Sequence, residues 1–482
     1  MAGKLDTYKS KRDFTKTREP AGGAPKRRTK KPRFVIQEHH ATALHWDLRL
    51  EHDGVGVSWA VPKGLPADPK AKGLAVHTED HPLSYFSFEG DIPAGEYGGG
   101  KVTIWDSGTY DLLEWADDKV KFRLHGKRSN GEYVVFQTGG REGRQWMIRK
   151  LDPPPPDWEP MPDNVAPMLA TTAQGAPRGR GWAYEFKWDG VRAIAYVEGG
   201  RVRLMSRNTN DITARYPELR ELGLSIGSTR LVLDGEVVAF DEEGRPSFGR
   251  LQNRMHVRGE AKVRRLARDV PIAYLVFDVL YIDGRSTVEL PYTERRELLH
   301  SLKLTGPHWD TPPHYVDDGP AIIAASKAQQ FEGVMAKRLD STYTPGCRSD
   351  AWHKIKNIRR QEVVIGGWTR GEGNREGHIG SLLVGVYDDK GNFRYAGNVG
   401  TGFKATTLRE LAAILKPLVR KESPFSTSVS RAHAKTATYV EPQLVCEVDF
   451  TEWTGDGKLR HPSYKGLRDD KSARDVVREP SA

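Results

Sequence analysis

Four consecutive prolines at positions 153–156 divide this chain of 482 residues into two parts. Proline has a fixed φ and no backbone N–H, so a run of four joins neither a helix nor a central strand. With its flanking aspartates, the run predicts a semi-rigid extended linker over residues 151–165. A chain of this length also exceeds what one hydrophobic core organises, so the two sides are expected to fold as separate domains.

The first 34 residues carry 12 Lys/Arg against 3 Asp/Glu, so they hold almost all of the formal net charge of +10. A basic segment with few apolar residues buries no core of its own. Residues 1–32 are therefore predicted to be a disordered basic tail that contacts phosphates without specificity. A solubilising or localisation tail would have the same composition, so charge alone does not identify a partner.

Hydropathy and cysteine content bear on the compartment. The sequence has no apolar run of about 18 residues, as a membrane-spanning helix requires, and no apolar N-terminal secretory segment. Only two cysteines occur, Cys347 and Cys446, without metal-type spacing. A reduced cytoplasmic protein without a membrane partner is the simplest expectation, although one disulfide stays open.

Three segments differ in their residue pattern. Residues 33–150 alternate in short runs between glycine turns, which indicates a β-barrel or sandwich. Residues 166–360 mix strand-like and helix-like stretches, as in an α+β domain. Residues 361–482 return to strand-like runs at 362–368, 381–387 and 393–399; an OB-type barrel fits this length, but periodicity does not distinguish it from another small barrel.

One lysine lies in a strand-like stretch of aromatic residues. From Trp182 to Asp189, aromatic residues alternate with the polar residues Glu185, Lys187 and Asp189. This period of two predicts a strand with a buried aromatic face and a charged face. In isolation, such a lysine is more often a solvated surface residue.

Later segments change that interpretation. They supply cations, isolated carboxylates and an aromatic ring, which together make an inventory for handling nucleotides. The segments are 206–208 (Ser-Arg-Asn), 233–236 (Leu-Asp-Gly-Glu), 277–278 (Phe-Asp), 332–337 (Glu-Gly-Val-Met-Ala-Lys), Arg348 and 352–356 (Trp-His-Lys-Ile-Lys).

In this order, the motifs resemble those of the covalent nucleotidyltransferase superfamily of DNA ligases, RNA ligases and mRNA capping enzymes. Its Lys-x-Asp-Gly-x-Arg signature is present at residues 187–192. The resemblance implies that Lys187 attacks the α-phosphate of ATP with magnesium or manganese present, expels pyrophosphate and carries AMP covalently. It further places Glu185 and Phe277 at the adenine, Arg192 and Arg207 at ribose or phosphate, Glu236 and Glu332 at metal and sugar, and Arg348, Lys354 and Lys356 at phosphates.

The chemistry requires that Lys187 lose its proton. A lysine near its reference pKa of about 10.4 is almost wholly protonated at neutral pH and does not attack. The neighbouring cations Arg192, Lys354 and Lys356, together with magnesium, are expected to lower that pKa.

A basic motif follows at residues 456–471. Without context it would be an ordinary basic loop on a barrel. The family places such a motif on its OB domain, closing over the pyrophosphate and reopening to admit DNA. The candidates are Arg460, Lys465, Arg468 and Lys471.

A second polar cluster precedes the linker. In residues 44–50, leucines and Trp46 alternate with His45, Asp47 and Arg49. Side chains two apart on a strand lie roughly 7 Å from each other, so His45 and Asp47 are able to bind one metal, with His39 as a third ligand. These ligand types fit manganese, zinc or iron, and Arg49 would clamp a phosphate. The competing interpretation is a polar outer strand face.

Residues 37–49, together with 79–82 and Tyr85, resemble the phosphoesterase domain of bacterial DNA ligase D. That resemblance covers residues 33–150 and implies manganese-dependent removal of 3′ ribonucleotides or 3′ phosphates. It assigns His39, His45 and Asp47 to the metal, and Arg49, His81 and Tyr85 to the phosphate or leaving group.

The two resemblances together predict a multi-domain protein, mainly β and α+β: a β-barrel phosphoesterase, an α+β nucleotidyltransferase domain and an OB-fold barrel. It would clean a 3′ end and then seal DNA ends or nicks in non-homologous end joining at the bacterial nucleoid. The chain has no room for the polymerase that many ligase D proteins carry, so gap filling is expected from a separate polypeptide. The family implies Ku as a partner. An RNA ligase, a capping enzyme and an inactive end-binding scaffold are the alternatives.

Overall fold

A computed structural model of the chain describes residues 4–22, 31–140, 143–255, 257, 259–357, 360–371 and 378–479. Three β-rich units follow one another along it. Among these described residues, no helix is long and apolar enough to cross a membrane. Cys347 and Cys446 are both free thiols, so the disulfide that the sequence left open does not form.

The first unit is an antiparallel barrel. Strand β1 pairs with both β2 and β6, which closes the order β1-β2-β3-β4-β9-β8-β7-β6 into an eight-stranded barrel, and β5 adds to β6. The strands are β1 (Arg33–His40), β2 (Leu44–His52), β3 (Val55–Val61), β4 (Gly73–His77), β5 (Gly90–Ile92), β6 (Gly100–Ala116), β7 (Lys119–His125), β8 (Asn130–Gly139) and β9 (Gln145–Lys150).

Alternation along β2 assigns its two faces as predicted. Leu44, Trp46 and Leu48 are buried in the barrel core with residues from the other strands. His45 and Asp47 therefore lie on the opposite face of the strand. The barrel thus positions the polar cluster on rigid β-strands.

The N-terminal segment was predicted to be disordered, and this is wrong for residues 4–22. Helix α1 (Asp6–Ser10) packs on the barrel, where Tyr8 is fully buried in a cluster with Tyr85, Phe88 and other apolar residues. Composition does not reveal that Arg12 pairs with Glu19 of the same segment and with Glu79 of the barrel unit, or that Tyr8 has an apolar pocket. Residues 1–3 and 23–30 of the predicted tail lie outside the described residues.

The central unit contains two sheets. One has the order β10-β20-β19-β11-β18; the other has the order β13-β12-β14-β15-β16, with β17 added to β15. The elements are β10 (Leu169–Thr172), β11 (Trp182–Lys187), β12 (Val191–Glu198), β13 (Arg201–Ser206), α2 (Arg220–Ile226), β14 (Leu231–Ala239), α3 (Phe248–Met255), α4 (Glu260–Asp269), β15 (Ile272–Ile282), β16 (Arg285–Ser286), α5 (Tyr292–Ser301), β17 (Trp309–Asp310), β18 (Tyr315–Val316), α6 (Gly319–Ala328), β19 (Gly333–Arg338) and β20 (Arg348–Lys356).

The last unit is a small β-domain with its own core. Strand β21 pairs with β22, β25 and β26, and β26 also pairs with β29. The three predicted strand-like runs fall within β21 to β23, which confirms them. The elements are β21 (Arg360–Arg370), β22 (Ile379–Tyr387), β23 (Phe393–Val399), α7 (Ala405–Leu415), β24 (Val419–Arg420), α8 (Arg431–Ala434), β25 (Ala437–Val440), β26 (Val445–Asp449), β27 (Glu452–Trp453), β28 (Leu459–Arg460) and β29 (Ser463–Leu467).

Residues 151–165 contain no helix or strand, in keeping with a linker, although the domain boundaries themselves stay a prediction.

A buried ion pair holds the central unit together. The Arg295 guanidinium bonds both oxygens of Asp278, at 2.8 and 3.1 Å, and both side chains are fully buried. The same guanidinium donates to the carbonyls of Leu290 and Ser341. It therefore joins α5 and the turn after β19 to strand β15.

Arg295→Ala is expected to lower the free energy of unfolding by about 3–5 kcal/mol, because it leaves the Asp278 carboxylate buried without a counter-ion. Urea unfolding of the whole chain measures this. Arg285→Ala, which breaks the exposed pair with Asp157, is the matched control and should cost less than about 1 kcal/mol. Equal effects of the two substitutions would contradict this account.

Candidate active sites

Three candidate metal ligands converge on the polar face of the barrel. His39 on β1 is directly opposite His45 on β2, and Asp47 follows two residues later. One ligand atom from each lies within 4.8 Å of the others. The arrangement matches the predicted ligand set, and among the described residues this is the group that meets metal-ligand spacing.

The hydrogen bonds of both histidines leave one nitrogen of each ring available. His39 Nε2 donates to the carbonyl of Gly98 at 2.8 Å, and His45 Nδ1 donates to the carbonyl of Ala43 at 2.9 Å. The other nitrogens, His39 Nδ1 and His45 Nε2, each lie 3.6 Å from an Asp47 oxygen. A carbonyl that fixes the protonated nitrogen and leaves the other as a lone-pair donor is the usual support for a metal-ligating imidazole.

Arg49 orients the carboxylate of this group. Its Nη2 donates to Asp47 Oδ2 at 2.9 Å, its Nε donates to Gln37 at 2.8 Å, and its Nη1 donates to Ser58 at 2.9 Å. Burial raises the pKa of Asp47, but Arg49 together with His39 and His45 outweighs it and holds that pKa well below its usual range. Arg49 is 3% exposed, so its expected contact with a phosphate stays a prediction while its hold on Asp47 is direct.

His81 and Tyr85 lie beside Arg49, as the sequence predicted for one common site. His81 Nδ1 is 2.9 Å from Arg49 Nη1, and the Arg49 guanidinium lies 4.8 Å from the centre of the Tyr85 ring. Burial, followed by the charges of Arg49 and Arg12, keeps the pKa of His81 well below its ordinary value. Burial likewise raises the pKa of Tyr85. Both side chains are therefore neutral near pH 7.

Sequence reasoning missed the contribution of the N-terminal segment to this site. Arg12 Nη2 lies 3.2 Å from His81 Nε2, and the same side chain forms ion pairs with Glu19 at 2.7 Å and Glu79 at 3.0 Å. Tyr85 donates its hydroxyl proton to Glu19 at 3.0 Å. The sequence feature that could have indicated this packing is the pair of aromatic residues, Tyr8 and Phe14, within an otherwise basic stretch.

His45→Ala is expected to weaken binding of Mn²⁺ to this site at least about tenfold, since it removes one of three ligands. Electron paramagnetic resonance of free Mn²⁺ measures this directly. His40→Ala is the matched control, because His40 lies next to His39 yet bonds Glu38 instead, at 2.8 Å. Similar losses in both variants would refute the ligand set.

Lys187 lies at the end of β11 in a cleft of about 540 Å³ between the central and C-terminal units. Trp182 and Tyr184 are buried in the strand, as the alternation predicted. Glu185 of the charged face is buried as well, and Phe186 is only half-buried. The cleft also contains all the other central-unit residues assigned from the sequence, namely Glu185, Arg192, Arg207, Glu236, Phe277, Glu332, Arg348, Lys354 and Lys356. Residues separated by up to 171 positions therefore form one site.

The ammonium of Lys187 forms an ion pair with Glu332, the residue before β19. Burial lowers the pKa of Lys187, but the carboxylates of Glu332 and Glu236 outweigh it and raise the pKa above its ordinary value. The expectation that surrounding cations lower this pKa is therefore wrong for the nucleotide-free protein. The nearest charges to the amine are carboxylates, not the cations of the motif.

The pKa of Glu236 is raised as well, which for a carboxyl group favours the neutral form. Burial raises its pKa to about 7, although Lys187 and Arg192 act against this. Glu332 instead keeps a pKa below its ordinary value, because Lys187, Lys356 and Arg360 outweigh burial. The buried carboxylate of Glu332 and the half-buried carboxylate of Glu236 offer the oxygen ligands that a hard divalent cation such as magnesium or manganese prefers.

The inner end of the cleft has a polar and an aromatic wall. Glu185 accepts from the hydroxyl of Tyr292 and forms an ion pair with Lys337 at 2.8 Å. The Lys337 ammonium lies 4.5 Å from the centre of the Phe277 ring. Glu185 and Phe277 thus share one end of the cleft, while their contacts with adenine stay a prediction.

Arg192 is held by the protein itself. It donates to both oxygens of Asp234, at 2.9 and 2.6 Å, and to the carbonyl of Met168 at 2.7 Å. Tyr343 donates to the same carboxylate at 2.6 Å. The guanidinium therefore fixes the wall of the cleft, and it lies 5.4 Å from the Phe277 ring.

The structure divides the basic motif in two. Arg468 and Lys471 line the cleft, where they pair with Asp470 at 2.8 Å and Glu362 at 2.8 Å. Arg460 is exposed and pairs with Glu452 outside the cleft, so its assignment to the nucleotide site is not supported by its position. Lys465, which pairs with Asp449 at 3.0 Å, also lies away from the lining residues.

The C-terminal unit is closed over the cleft. Arg360 at the start of β21 bonds Asp189, two residues after Lys187, and Arg215 of the central unit bonds Asp469 at 2.7 Å. The unit also brings two carboxylates that sequence reasoning missed, the buried Glu447 and the half-buried Glu479. No local motif marks either of them.

Three family models match consecutive parts of the chain. The DNA ligase D 3′-phosphoesterase domain matches residues 37–137. The ATP dependent DNA ligase domain matches residues 167–356, and the ATP dependent DNA ligase C terminal region matches residues 375–471.

Curated relatives match along almost the whole chain. The multifunctional non-homologous end joining DNA repair protein LigD of Mycobacterium tuberculosis is 45% identical over 99% of this chain and 62% of its own length. The multifunctional non-homologous end joining protein LigD of Pseudomonas aeruginosa is 38% identical over the same shares. The chain thus spans 62% of the length of these relatives.

A solved structure of mycobacterial DNA ligase D complexed with ATP and MES is 42% identical, with a TM-score of 0.49, and covers 66% of this chain and 99% of its own. With three matched domains in family order and relatives along nearly its full length, the chain belongs to the DNA ligase D family.

Proposed function

We propose that this chain trims 3′ DNA ends at the barrel site and seals DNA nicks or breaks at the cleft through a Lys187–AMP intermediate. The observation that carries the proposal is the single cleft in which Lys187 meets Glu332, Glu236 and the cations of both flanking units. A scaffold that only bound DNA ends would not need a half-buried amine surrounded by carboxylates and cations.

The adenylation step would form one bond to the α-phosphorus of ATP and break another. A bond forms between Lys187 Nζ and the α-phosphorus of ATP, the bond from that phosphorus to the bridging oxygen breaks, and pyrophosphate leaves. The amine gives up a proton, and Glu332 is the carboxylate bonded to it. AMP then passes to a DNA 5′ phosphate and is displaced by a 3′ hydroxyl.

The cations of the cleft act on the phosphates. Lys354, Lys356 and Arg348 from β20 line the same cleft as Arg468 and Lys471 from the C-terminal unit. Fixed positive charges that neutralise developing phosphate charge supply much of the catalysis in phosphoryl transfer. Glu236 and Glu332 would hold magnesium or manganese, which supplies charge neutralisation when bound.

At the barrel, His39, His45 and Asp47 would hold manganese, with zinc or iron as other fits to the ligand types. Arg49 fixes Asp47, and family membership suggests that His81, which is neutral here, would contact the phosphate or assist the leaving group. The substrate class proposed from family membership is a 3′ ribonucleotide or 3′ phosphate on DNA. Removal of either leaves the 3′ hydroxyl that sealing requires.

We extend the proposal to partners by family membership. The relatives are named for non-homologous end joining, which supports DNA rather than RNA as substrate. Ku at the DNA end, a repair polymerase from a separate polypeptide, and action at the nucleoid complete the proposed setting. Comparing nicked DNA with nicked RNA tests the ligase against the RNA-ligase alternative.

Lys187→Ala is expected to abolish covalent labelling by α-³²P-ATP, because no other side chain occupies the position of the amine. Autoradiography after denaturing electrophoresis measures the acid-stable adenylate. Lys327→Ala, an exposed lysine at the end of α6, should label like the wild type. Persistent label on Lys187→Ala would exclude this residue as the nucleophile.

His45→Ala should separate the two activities. We expect loss of 3′ trimming by at least about a hundredfold on a 3′-ribonucleotide primer-template with manganese, since a metal ligand is removed. Sealing of a nick that already carries a 3′ hydroxyl should be unchanged, because the cleft is built from other units. Trimming at the wild-type rate would defeat the barrel-site proposal and leave the ligase proposal intact.

A further inference from the structure

The two lysines of β20 assigned to nucleotide phosphates already bind an anion from the chain itself. Glu479 Oε1 lies 2.7 Å from Lys354 Nζ, and Glu479 Oε2 lies 2.9 Å from Lys356 Nζ. One carboxylate therefore spans both ammonium groups, much as two oxygens of a phosphate would. All three side chains line the same cleft as Lys187.

The backbone fixes this carboxylate in the cleft. The amide of Glu479 donates to Gln361 Oε1 at 3.0 Å, and Gln361 Nε2 donates to the carbonyl of Val477 at 3.1 Å. The amide of Tyr387 donates to the carbonyl of Val476 at 2.8 Å. Gln361 is 1% exposed, so the segment 476–479 is anchored to the C-terminal unit by buried bonds.

The lysines need a counter-anion when no nucleotide is bound. Burial and the neighbouring Lys356 lower the pKa of Lys354 to about 8, against the opposing effect of Glu479. The two lysines in turn hold the pKa of Glu479 below its ordinary value, although burial opposes them. Without Glu479, two half-buried ammonium groups would repel each other inside the cleft.

We propose that Glu479 is an internal phosphate surrogate, a positioning residue whose carboxylate holds Lys354 and Lys356 until a phosphate of the nucleotide displaces it. The inference rests on the proposed ligase function, since that function assigns the two lysines to ATP. Beyond that function, the inference states that the triphosphate and the segment 476–479 compete for Lys354 and Lys356. Release of pyrophosphate would then be aided by the return of Glu479.

Competition of this kind affects the ATP concentration for half-maximal adenylation rather than the maximal rate. The bonds of Glu479 to the lysines exist before ATP binds, so breaking them adds to the cost of binding rather than to the later chemical barrier. Glu479→Gln should therefore lower the ATP concentration for half-maximal adenylation by about threefold or more, as loss of a charge-assisted bond implies. The maximal rate should stay within about twofold.

The test starts from protein freed of AMP with pyrophosphate and magnesium and then desalted. Initial rates of covalent labelling are measured against ATP concentration for the wild type, Glu479→Gln and Glu479→Ala. Glu441→Gln is the matched control, because it makes the same change on an exposed pair of the same unit, 3.3 Å from Arg420. Inorganic pyrophosphate should also inhibit labelling of Glu479→Gln at a concentration about threefold lower.

Equilibrium binding separates failure of this inference from failure of the ligase proposal. Calorimetry with ATP in a Lys187→Ala background needs no chemistry, and the added Glu479→Gln change should tighten binding about threefold there too. An unchanged or weaker affinity would overturn the surrogate. A lower maximal rate with unchanged half-saturation would overturn it as well, because Glu479 would then only support closure of the C-terminal unit. If wild-type protein is never labelled, the ligase proposal fails while the calorimetric comparison still decides the role of Glu479.

Discussion

The ion pair between Lys187 and Glu332 is the contact on which the cleft depends. It joins the end of β11 to the start of β19, and these strands pair along their whole length. It also determines the charge state of the amine, because Glu332 and Glu236 raise the pKa of Lys187. In the nucleotide-free protein, the Lys187 amine is therefore held in its protonated form.

That arrangement assigns different tasks to the two groups of charges in the cleft. The carboxylates keep the amine charged, and their engagement by a divalent cation would remove the charge that raises its pKa. The cations Lys354, Lys356 and Arg468 each have an acidic partner in the nucleotide-free state. Under the proposed function, binding of ATP would exchange these internal ion pairs for contacts with phosphate and so preserve charge balance in the cleft.

Sequence motifs predicted the site residues best where the site is built from neighbouring strands. Lys187, Glu236 and Lys354 were identified from motif order, and the alternation of β2 identified His45 and Asp47. Prediction failed where a partner came from a distant segment. Glu479 is 125 residues from Lys354, and Arg12 is 69 residues from His81, so no local period could show either contact.

Composition misled in a related way. The excess of Lys and Arg led to the prediction that residues 1–32 are a disordered tail. In the structure, Arg12 forms ion pairs with Glu19 and Glu79 beside an aromatic cluster. Asp278 shows the converse. It belongs to the segment 277–278 that was counted among the nucleotide-handling motifs, but in the structure Arg295 donates to both of its oxygens in the core. Whether a charged residue belongs to a surface, a core or a site depends on partners that the linear sequence does not display.

The two sites share one structural device. In the barrel, Arg49 holds Asp47, and in the cleft, Arg192 holds both oxygens of Asp234. In each case the guanidinium uses its remaining donors on neighbouring groups, Gln37 and Ser58 in the first and the Met168 carbonyl in the second. Lysine offers no planar fork, so it would not satisfy these acceptors together. Asp47 and Asp234 are therefore held in place by the protein itself, and under the proposals made above the contacts of Glu479 are the ones that a nucleotide would replace.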